Sequence, residues 1–315
     1  MQNRRIAFLF GSPFHDPKAW EKALRRHLPE LDFRLWPDGV GDAAQIEFAL
    51  VLGGQRGMYT RFPNLKAILS FGAGVDHLLA DPELPKHVPI GRGISEGLVE
   101  NMTQYVVHWV LHFHRGFHLY REQQREPRWR HLRGPNAGER GVGFLGLGAL
   151  GTAAALRLAG FGFAVAGWSR TPKAIAGVES FHGEDALIPF LKRTQILVNL
   201  LPLTPATLGI IDSRTLAALP AGAFVINPGR GEHVVDDDLL AALESGHIAA
   251  AALDVFKIEP LPLDHPYWRH PNVYVTPHGA SWNIIDTSAA HHADNVRRVL
   301  AGHPPEPLVD RGRGY

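Results

Sequence analysis

Three side chains on three glycine- or proline-marked turns offer a connected chemistry. They are Arg230 in Asn227-Pro-Gly-Arg-Gly231, Glu259 in Leu253-Asp-Val-Phe-Lys-Ile-Glu-Pro260, and His278 in Thr276-Pro-His-Gly-Ala280. A guanidinium meets a carboxylate with two parallel hydrogen bonds and can polarise a carbonyl beside it. An imidazole has the proton affinity nearest neutrality, which suits it to hand a proton to a carbonyl oxygen. A carboxylate reaching that imidazole would orient it, favour the imidazolium and raise its pKa. Together the three fit hydride transfer to a carbonyl that adjoins a carboxylate. Singly, each has a plainer reading: a solvated arginine, a Glu-Pro that ends a strand, a histidine in a turn. Each follows a predicted strand, however, where open α/β sheets bind their ligands.

A hydride donor has its own signature. In Gly141-Val-Gly-Phe-Leu-Gly-Leu-Gly-Ala-Leu-Gly151 a short buried strand, Val142 to Leu145, runs into Gly146, Gly148 and Gly151 at G-x-G-x-x-G spacing. Helix formers follow from Ala149 to Gly160. Strand, glycine turn and helix in that order give the motif its meaning: Gly146 for the sharp turn, Gly148 for a bare backbone against a pyrophosphate, Gly151 for close helix packing. The helix start at Ala149 and Leu150 adds unpaired N–H groups. The next strand ends Ala166-Gly-Trp-Ser-Arg-Thr-Pro-Lys173, without the acid that would hold a ribose 2′-hydroxyl. Ser169, Arg170 and Lys173 would instead attract a 2′-phosphate, so the sequence predicts NADPH in preference to NADH, with NAD still possible.

The elements that must carry these residues alternate in α/β fashion. Ile6–Phe10, Phe33–Trp36, Phe48–Leu52 and Ala67–Phe71 read as short strands, Val88–Ile90 as a closing one, and Pro17–Leu28 as a helix. Leu98 to Gln124 reads as one long helix leaving a first domain for a second. Strands are then expected at the glycine motif, Phe163–Trp168, Ile196–Leu200, Ala223–Asn227, Ile248–Asp254 and Val273–Thr276, six in all, with a helix over Ile285–Leu300 returning to the first domain. The predicted architecture is therefore α/β, two doubly wound parallel-sheet domains. A Rossmann dinucleotide-binding domain (99–282) is inserted into a flavodoxin-like substrate domain (1–98 and 283–315), with hinges near Leu98 and Trp282.

Composition narrows the classes. The chain has 315 residues, enough for two cores, and its net charge of +1 gives no reason to expect nucleic acid or an anionic membrane as partner. It has no cysteine, which excludes disulfides and thiolate chemistry. The apolar run near the N-terminus is too short for a signal peptide core, and no run is long enough to span a bilayer, so a cytoplasmic protein is expected. His108 and His112 stand four apart with His114 and His118 nearby, but no third ligand falls at a telling spacing, and no catalytic metal is expected.

Set beside the glycine motif, the three turns resemble the D-isomer-specific 2-hydroxyacid dehydrogenases, whose catalytic set is an Arg, a Glu and a His on such segments. The resemblance runs through Phe71-Gly-Ala-Gly-Val-Asp76, Trp168-Ser-Arg170 and Val309-Asp-Arg-Gly-Arg-Gly-Tyr315, and those features point to its glyoxylate/hydroxypyruvate reductase A branch. It implies Arg230, Glu259 and His278 as the catalytic set, with Gly72, Ala73 and Gly74 offering N–H groups to a substrate carboxylate. Without it, those three glycine-rich positions also read as a helix-entry turn, and Asp76 as a helix-start charge. The resemblance further implies that Leu201 and Pro202 run along the cofactor and that Asn227, Pro228 and Gly229 line the nicotinamide ribose. Asp254 approaches the nicotinamide amide, and Gly279 belongs to the same lining. Pro228 and Gly279 depart from the residues common in relatives, which bears on pocket width. In Gly53-Gly-Gln-Arg-Gly57, Arg56 reads as a surface residue with a possible reach to substrate, and Trp36 as a core residue or a pocket wall.

The expected activity is reduction of glyoxylate or hydroxypyruvate by NADPH, probed against a larger 2-keto acid within the family. From another class stands a dinucleotide-sensing corepressor-like protein, which shares the fold and binds partners more than it turns over substrate. The resemblance also implies a homodimer through the cofactor domain.

Overall fold

A computed structural model describes residues 5–52 and 54–315; Gly53 of the glycine-rich turn lies outside them. The chain forms two compact units, one from the N-terminal stretch to Leu98 with Trp282–Tyr315, the other Val99–Ser281. Both are α/β with entirely parallel sheets.

In the first unit, β1 (Ile6–Gly11) is followed by α1 (Pro17–His27), β2 (Leu31–Leu35), β3 (Phe48–Val51), β4 (Ala67–Leu69), α2 (Asp76–Leu79) and β5 (Ile90–Gly91). The sheet order is β2-β1-β3-β4-β5, the doubly wound order of flavodoxin-like folds. β1 is buried along its whole length, as a central parallel strand covered on both faces must be. α1 starts where Asp16 accepts a hydrogen bond from the Lys18 amide and Pro17 takes the first helical position.

α3 (Glu96–His114) passes from one unit to the other, and α4 (Phe117–Arg125) follows. The single long helix expected over Leu98–Gln124 is thus two helices. Gly116 breaks it, with a left-handed φ of 67° that ends one helix and caps the next. Apolar periodicity continues across the break and so conceals it.

The second unit continues with β6 (Gly141–Leu145), α5 (Ala149–Gly160), β7 (Ala164–Ser169), β8 (Val178–His182), α6 (Leu187–Lys192), β9 (Ile196–Asn199) and α7 (Ser213–Ala218). It ends with β10 (Ala223–Asn227), α8 (Asp236–Glu244), β11 (Ile248–Leu253) and β12 (Val273–Val275). The order is β12-β11-β10-β9-β6-β7-β8, seven strands where six were expected. β8 escaped notice because it is an edge strand carrying Glu179, Ser180 and His182, polar in the way exposed edges are. Val142, Phe144, Ala154, Leu158, Val106, Val110 and Phe113 form a core on one face, and Phe190, Leu216, Leu239, Leu243 and Val225 form one on the other.

α9 (Ile285–Leu300) returns to the first unit, burying Ala289, Ala293 and Val296 with Trp20 and Leu24 of α1. Among the described residues, no helix is long and apolar enough to cross a membrane.

Candidate active site

Parallel register brings the loops of the second unit to one edge. Leu145 pairs with Asn199, Asn227 with Leu253, and Leu253 with Val275, while Val198 pairs with Ile226 just before them. The carboxyl ends of β6, β9, β10, β11 and β12 are therefore level, and the order reverses between β6 and β9, the switch point where such sheets bind ligands.

The glycine turn opens from β6. Gly146 has φ of 99°, and a Cβ there would lie 2.8 Å from the Leu200 carbonyl oxygen, so only glycine fits. A Cβ on Gly151 would fall 2.0 Å from the Gly146 oxygen, whereas one on Gly148 would meet nothing within 4 Å. Gly148 and Ala149 are exposed and Leu150 half-buried, so the start of α5 presents bare backbone, the cradle a pyrophosphate needs. At the end of β7, the Trp168 indole donates to the Gly183 carbonyl (2.7 Å). Ser169 is buried and donates its hydroxyl proton to the Thr171 carbonyl (2.7 Å), which leaves Arg170 and Lys173, both exposed, as the cations of that loop.

Beyond β9 and β10 lies a buried polar network that joins Asn227, already expected at the cofactor, to Asn199 and His233, which the sequence did not single out. Asn199, Asn227 and His233 are each sealed from solvent. The Asn199 amide donates to Asn227 Oδ1 (2.8 Å) and to His233 Nδ1 (2.8 Å), and its own oxygen accepts from the Leu201 amide (3.3 Å). Because Nδ1 accepts, the His233 proton sits on Nε2, which points to the Pro202 carbonyl at 3.3 Å. Asn227 then donates to the Arg230 carbonyl (2.9 Å) and accepts from the Gly229 amide (3.2 Å). One network fixes both Leu201-Pro202 and Asn227-Pro228-Gly229-Arg230. A polar residue closing an otherwise apolar buried strand, as in Ile196-Leu-Val-Asn199, was the available signal.

His278 stands on a strained turn after β12, its φ of 51° being left-handed for a non-glycine residue. Asp254 holds that turn. Its backbone oxygen accepts from the His278 amide (2.8 Å), and its buried carboxylate accepts from the Thr276 hydroxyl (2.5 Å) and the amides of Gly279 (2.8 Å) and Ala280 (2.9 Å). The Tyr105 hydroxyl, from α3, lies 2.9 Å from that of Thr276.

His278 Nδ1 lies 2.7 Å from Glu259 Oε2, and the other carboxylate oxygen accepts from the Phe256 amide at 2.9 Å. Nδ1–H donates to the carboxylate, so Nε2 is the nitrogen turned away from Glu259. The hydrogen bond to Glu259 raises the His278 pKa above its ordinary value, against burial and the Arg230 charge. For Glu259, burial is the largest influence and pushes upward. The hydrogen bonds from His278 and Phe256, with the charges of His278 and Arg230, outweigh it and leave the carboxyl below its usual range. Both shifts include Arg230, so the guanidinium is close enough to act electrostatically on the pair. Arg230 is half-buried and donates from Nη1 to the Gly229 carbonyl (2.8 Å). Arg230, Glu259 and His278 thus share one end of the sheet, a cation beside an imidazole whose pKa its carboxylate partner raises.

In the first unit, Gly72, Ala73 and Gly74 are half-buried after β4, and Asp76 opens α2. Arg56 is exposed and paired with Glu83 (3.1 Å). Trp36 is half-buried against the core with Arg61 over its ring at 5.2 Å. His108, His112 and His118 pack as rings among Trp109, Phe113, Phe117 and Tyr274.

A doubly wound sheet with a glycine-rich phosphate turn, and an acid–imidazole pair at its switch-point edge, defines an NAD(P)-dependent oxidoreductase. The chain belongs to the D-isomer-specific 2-hydroxyacid dehydrogenase family: residues 107–280 match the model of "D-isomer specific 2-hydroxyacid dehydrogenase, NAD binding domain". It is 40% identical to the glyoxylate/hydroxypyruvate reductase A of Yersinia enterocolitica over 98% of this chain and 99% of that protein. The reductase A of Serratia proteamaculans is also 40% identical, with the same coverage. A D-isomer-specific 2-hydroxyacid dehydrogenase from Xanthobacter autotrophicus, solved with NADPH and MES, superposes with a TM-score of 0.96 at 46% identity, covering 99% of this chain and 100% of that one. The NADPH-dependent glyoxylate/hydroxypyruvate reductase of Sinorhizobium meliloti, solved with NADP and sulfate, gives 0.92 at 36% identity with the same coverage.

Proposed function

We propose that this enzyme reduces a small 2-keto acid, glyoxylate or hydroxypyruvate, to glycolate or D-glycerate with NADPH. The observation that carries this reading is the His278–Glu259 hydrogen bond with Arg230 acting on both. NADPH, when bound, supplies a hydride to the carbonyl carbon. The residues present fit it: Gly146, Gly148 and Gly151 for the pyrophosphate, Arg170 and Lys173 for a 2′-phosphate, and Leu201, Pro202, Asn227, Pro228, Gly229 and Gly279 along the nicotinamide half. Asp254, in the same region, holds the turn that aims His278.

Arg230 anchors the substrate carboxylate and draws electron density from the adjoining carbonyl. His278 delivers its proton from Nε2 to the carbonyl oxygen, and Glu259 keeps that imidazole protonated and oriented. Ala73 and Gly74 of the first unit give backbone N–H groups to the substrate carboxylate, whereas the Gly72 amide, expected to join them, donates to Ser70 Oγ at 3.4 Å. The relatives named for glyoxylate and hydroxypyruvate, aligned over nearly the whole chain, support the choice of substrate. A homodimer through the second unit belongs to this reading. It is supported by the exposure of Phe117 (52%), Leu119 (48%) and Trp129 (105%).

The test is NADPH oxidation followed optically with glyoxylate, hydroxypyruvate, phenylpyruvate and 2-ketogluconate, repeated with NADH, and light scattering for the mass in solution. Turnover of the two small acids with NADPH is expected. Binding of NADPH without turnover of any keto acid would favour a sensing role instead.

A further inference from the structure

We propose that Arg92 is a positioning residue for carboxylate binding, which it serves by fixing the direction of two backbone amides in the Gly72–Gly74 turn. The inference rests on the reading above, that those amides receive the carboxylate of a 2-keto acid. The Arg92 Nε donates to the Ala73 carbonyl at 2.8 Å, and the neighbouring Gly93 amide donates to the Gly72 carbonyl at 3.0 Å. Two successive carbonyls of the turn are therefore pinned to the same dipeptide.

A trans peptide points its N–H opposite to its C=O. The Gly72–Ala73 and Ala73–Gly74 peptides must then turn the N–H groups of Ala73 and Gly74 away from Arg92. Among the described residues neither N–H has an acceptor, and a Cβ built on Gly72 would meet nothing within 4 Å. The two half-buried residues thus hold backbone donors with no acceptor among the described residues. A cation on the carbonyl end of a peptide also polarises it and strengthens its N–H as a donor.

The clamp is itself anchored. The Arg92 amide donates to the Pro307 carbonyl (2.9 Å), and its own carbonyl lies 2.8 Å from His291 Nε2 on α9. Gly93 is glycine because a Cβ there would fall 2.3 Å from the Ser70 oxygen and 2.5 Å from that of Phe71, too close for the dipeptide to reach the turn. Ser70 braces the other side, its hydroxyl 3.3 Å from the Gly74 carbonyl. Burial draws the Arg92 pKa down from its ordinary value, yet the guanidinium keeps its charge at neutral pH.

The test compares wild type with Arg92→Met and Arg92→Lys, using oxalate as a non-reacting dicarboxylate probe on the NADP-loaded enzyme and glyoxylate as substrate. In Arg92→Met, the oxalate Kd and the glyoxylate KM should both rise about tenfold, while kcat and the NADPH Kd change by less than about threefold. Arg92→Lys, which keeps one donor and the charge, should recover part of the loss. A folded Arg92→Met with an oxalate Kd within about twofold of wild type would overturn the proposal. If Arg92→Met does not fold, Arg92→Lys decides: an unchanged oxalate Kd overturns it and a weakened one supports it. Oxalate binding is read without turnover. An enzyme that binds oxalate in an Arg92-dependent way but reduces no 2-keto acid would sink the activity and leave this inference standing.

Discussion

At the scale of single residues, the His278–Glu259 pair sets a pH dependence whose sign is fixed. Glu259 raises the His278 pKa, so the imidazolium needed for reduction persists to higher pH than a free histidine would allow. Reduction should therefore decline as pH rises through that raised value. In Glu259→Gln the alkaline limb of kcat/KM should move to lower pH; profiles that superpose would remove Glu259 from the role. His278→Asn separates chemistry from backbone, because asparagine tolerates the left-handed φ that His278 adopts. Turnover should fall by about 10²- to 10⁴-fold, the usual worth of a general acid, with NADPH affinity retained. A near-normal rate would rule out proton donation by this residue. Sequence carried these three residues because each sits in a glycine- or proline-marked turn after an apolar strand. It did not carry Asn199, His233 or Arg92, whose importance lies in hydrogen bonds to distant backbone.

At the scale of elements, α9 carries a built-in acid liability. His292 is buried to 1% exposure against Trp20, its ring centroid 6.1 Å from the indole, and neither ring nitrogen has a partner among the described residues. Burial, helped by the charge of His291, draws its pKa down to about 3. The unfolded chain takes up this proton as pH falls below about 6.5, while the folded chain refuses it until near its own lower value. Stability from this site is complete above the unfolded value and is lost progressively on acidification, by about 2 kcal/mol at pH 5. Denaturant unfolding of wild type and His292→Leu at pH 7 and pH 5 checks this. The variant should lose less stability between the two, and equal losses would refute the assignment. The α3–α4 break belongs to this scale too: helical periodicity reads straight through Gly116, and only its positive φ reveals the stop.

At the scale of the whole molecule, the second unit gathers the glycine turn and the Arg230, Glu259 and His278 loops at the carboxyl ends of its strands, and the first unit holds the Gly72–Gly74 turn after β4. In the proposed reading, cofactor choice rests on the loop after β7, where Ser169 turns inward and Arg170 and Lys173 remain outside. The double variant Arg170→Ala/Lys173→Ala should raise KM for NADPH about tenfold or more, through lost charge-assisted bonds, and leave KM for NADH nearly unchanged. Equal effects on both cofactors would mean that the loop is a general surface feature. Most strands of both sheets were legible as alternating apolar runs and glycine turns, since a parallel sheet buried on two faces writes itself as such runs. β8 did not, because an edge strand bearing polar residues looks like a loop until its neighbour is known.

The amino-acid sequence by itself singled out the side chains proposed to hold the chemistry, because glycine spacing, strand-end position and residue type are local properties. Tertiary structure alone decided which nitrogen of His278 is turned away from Glu259, that Asp254 and the Asn199–Asn227–His233 network aim the turns, and that Arg92 and Gly93 set the direction of the Gly72–Gly74 amides. Those are hydrogen bonds between segments far apart in the chain. Their geometry exists only once parallel register has brought the strand ends level and packing has removed the water that would otherwise compete.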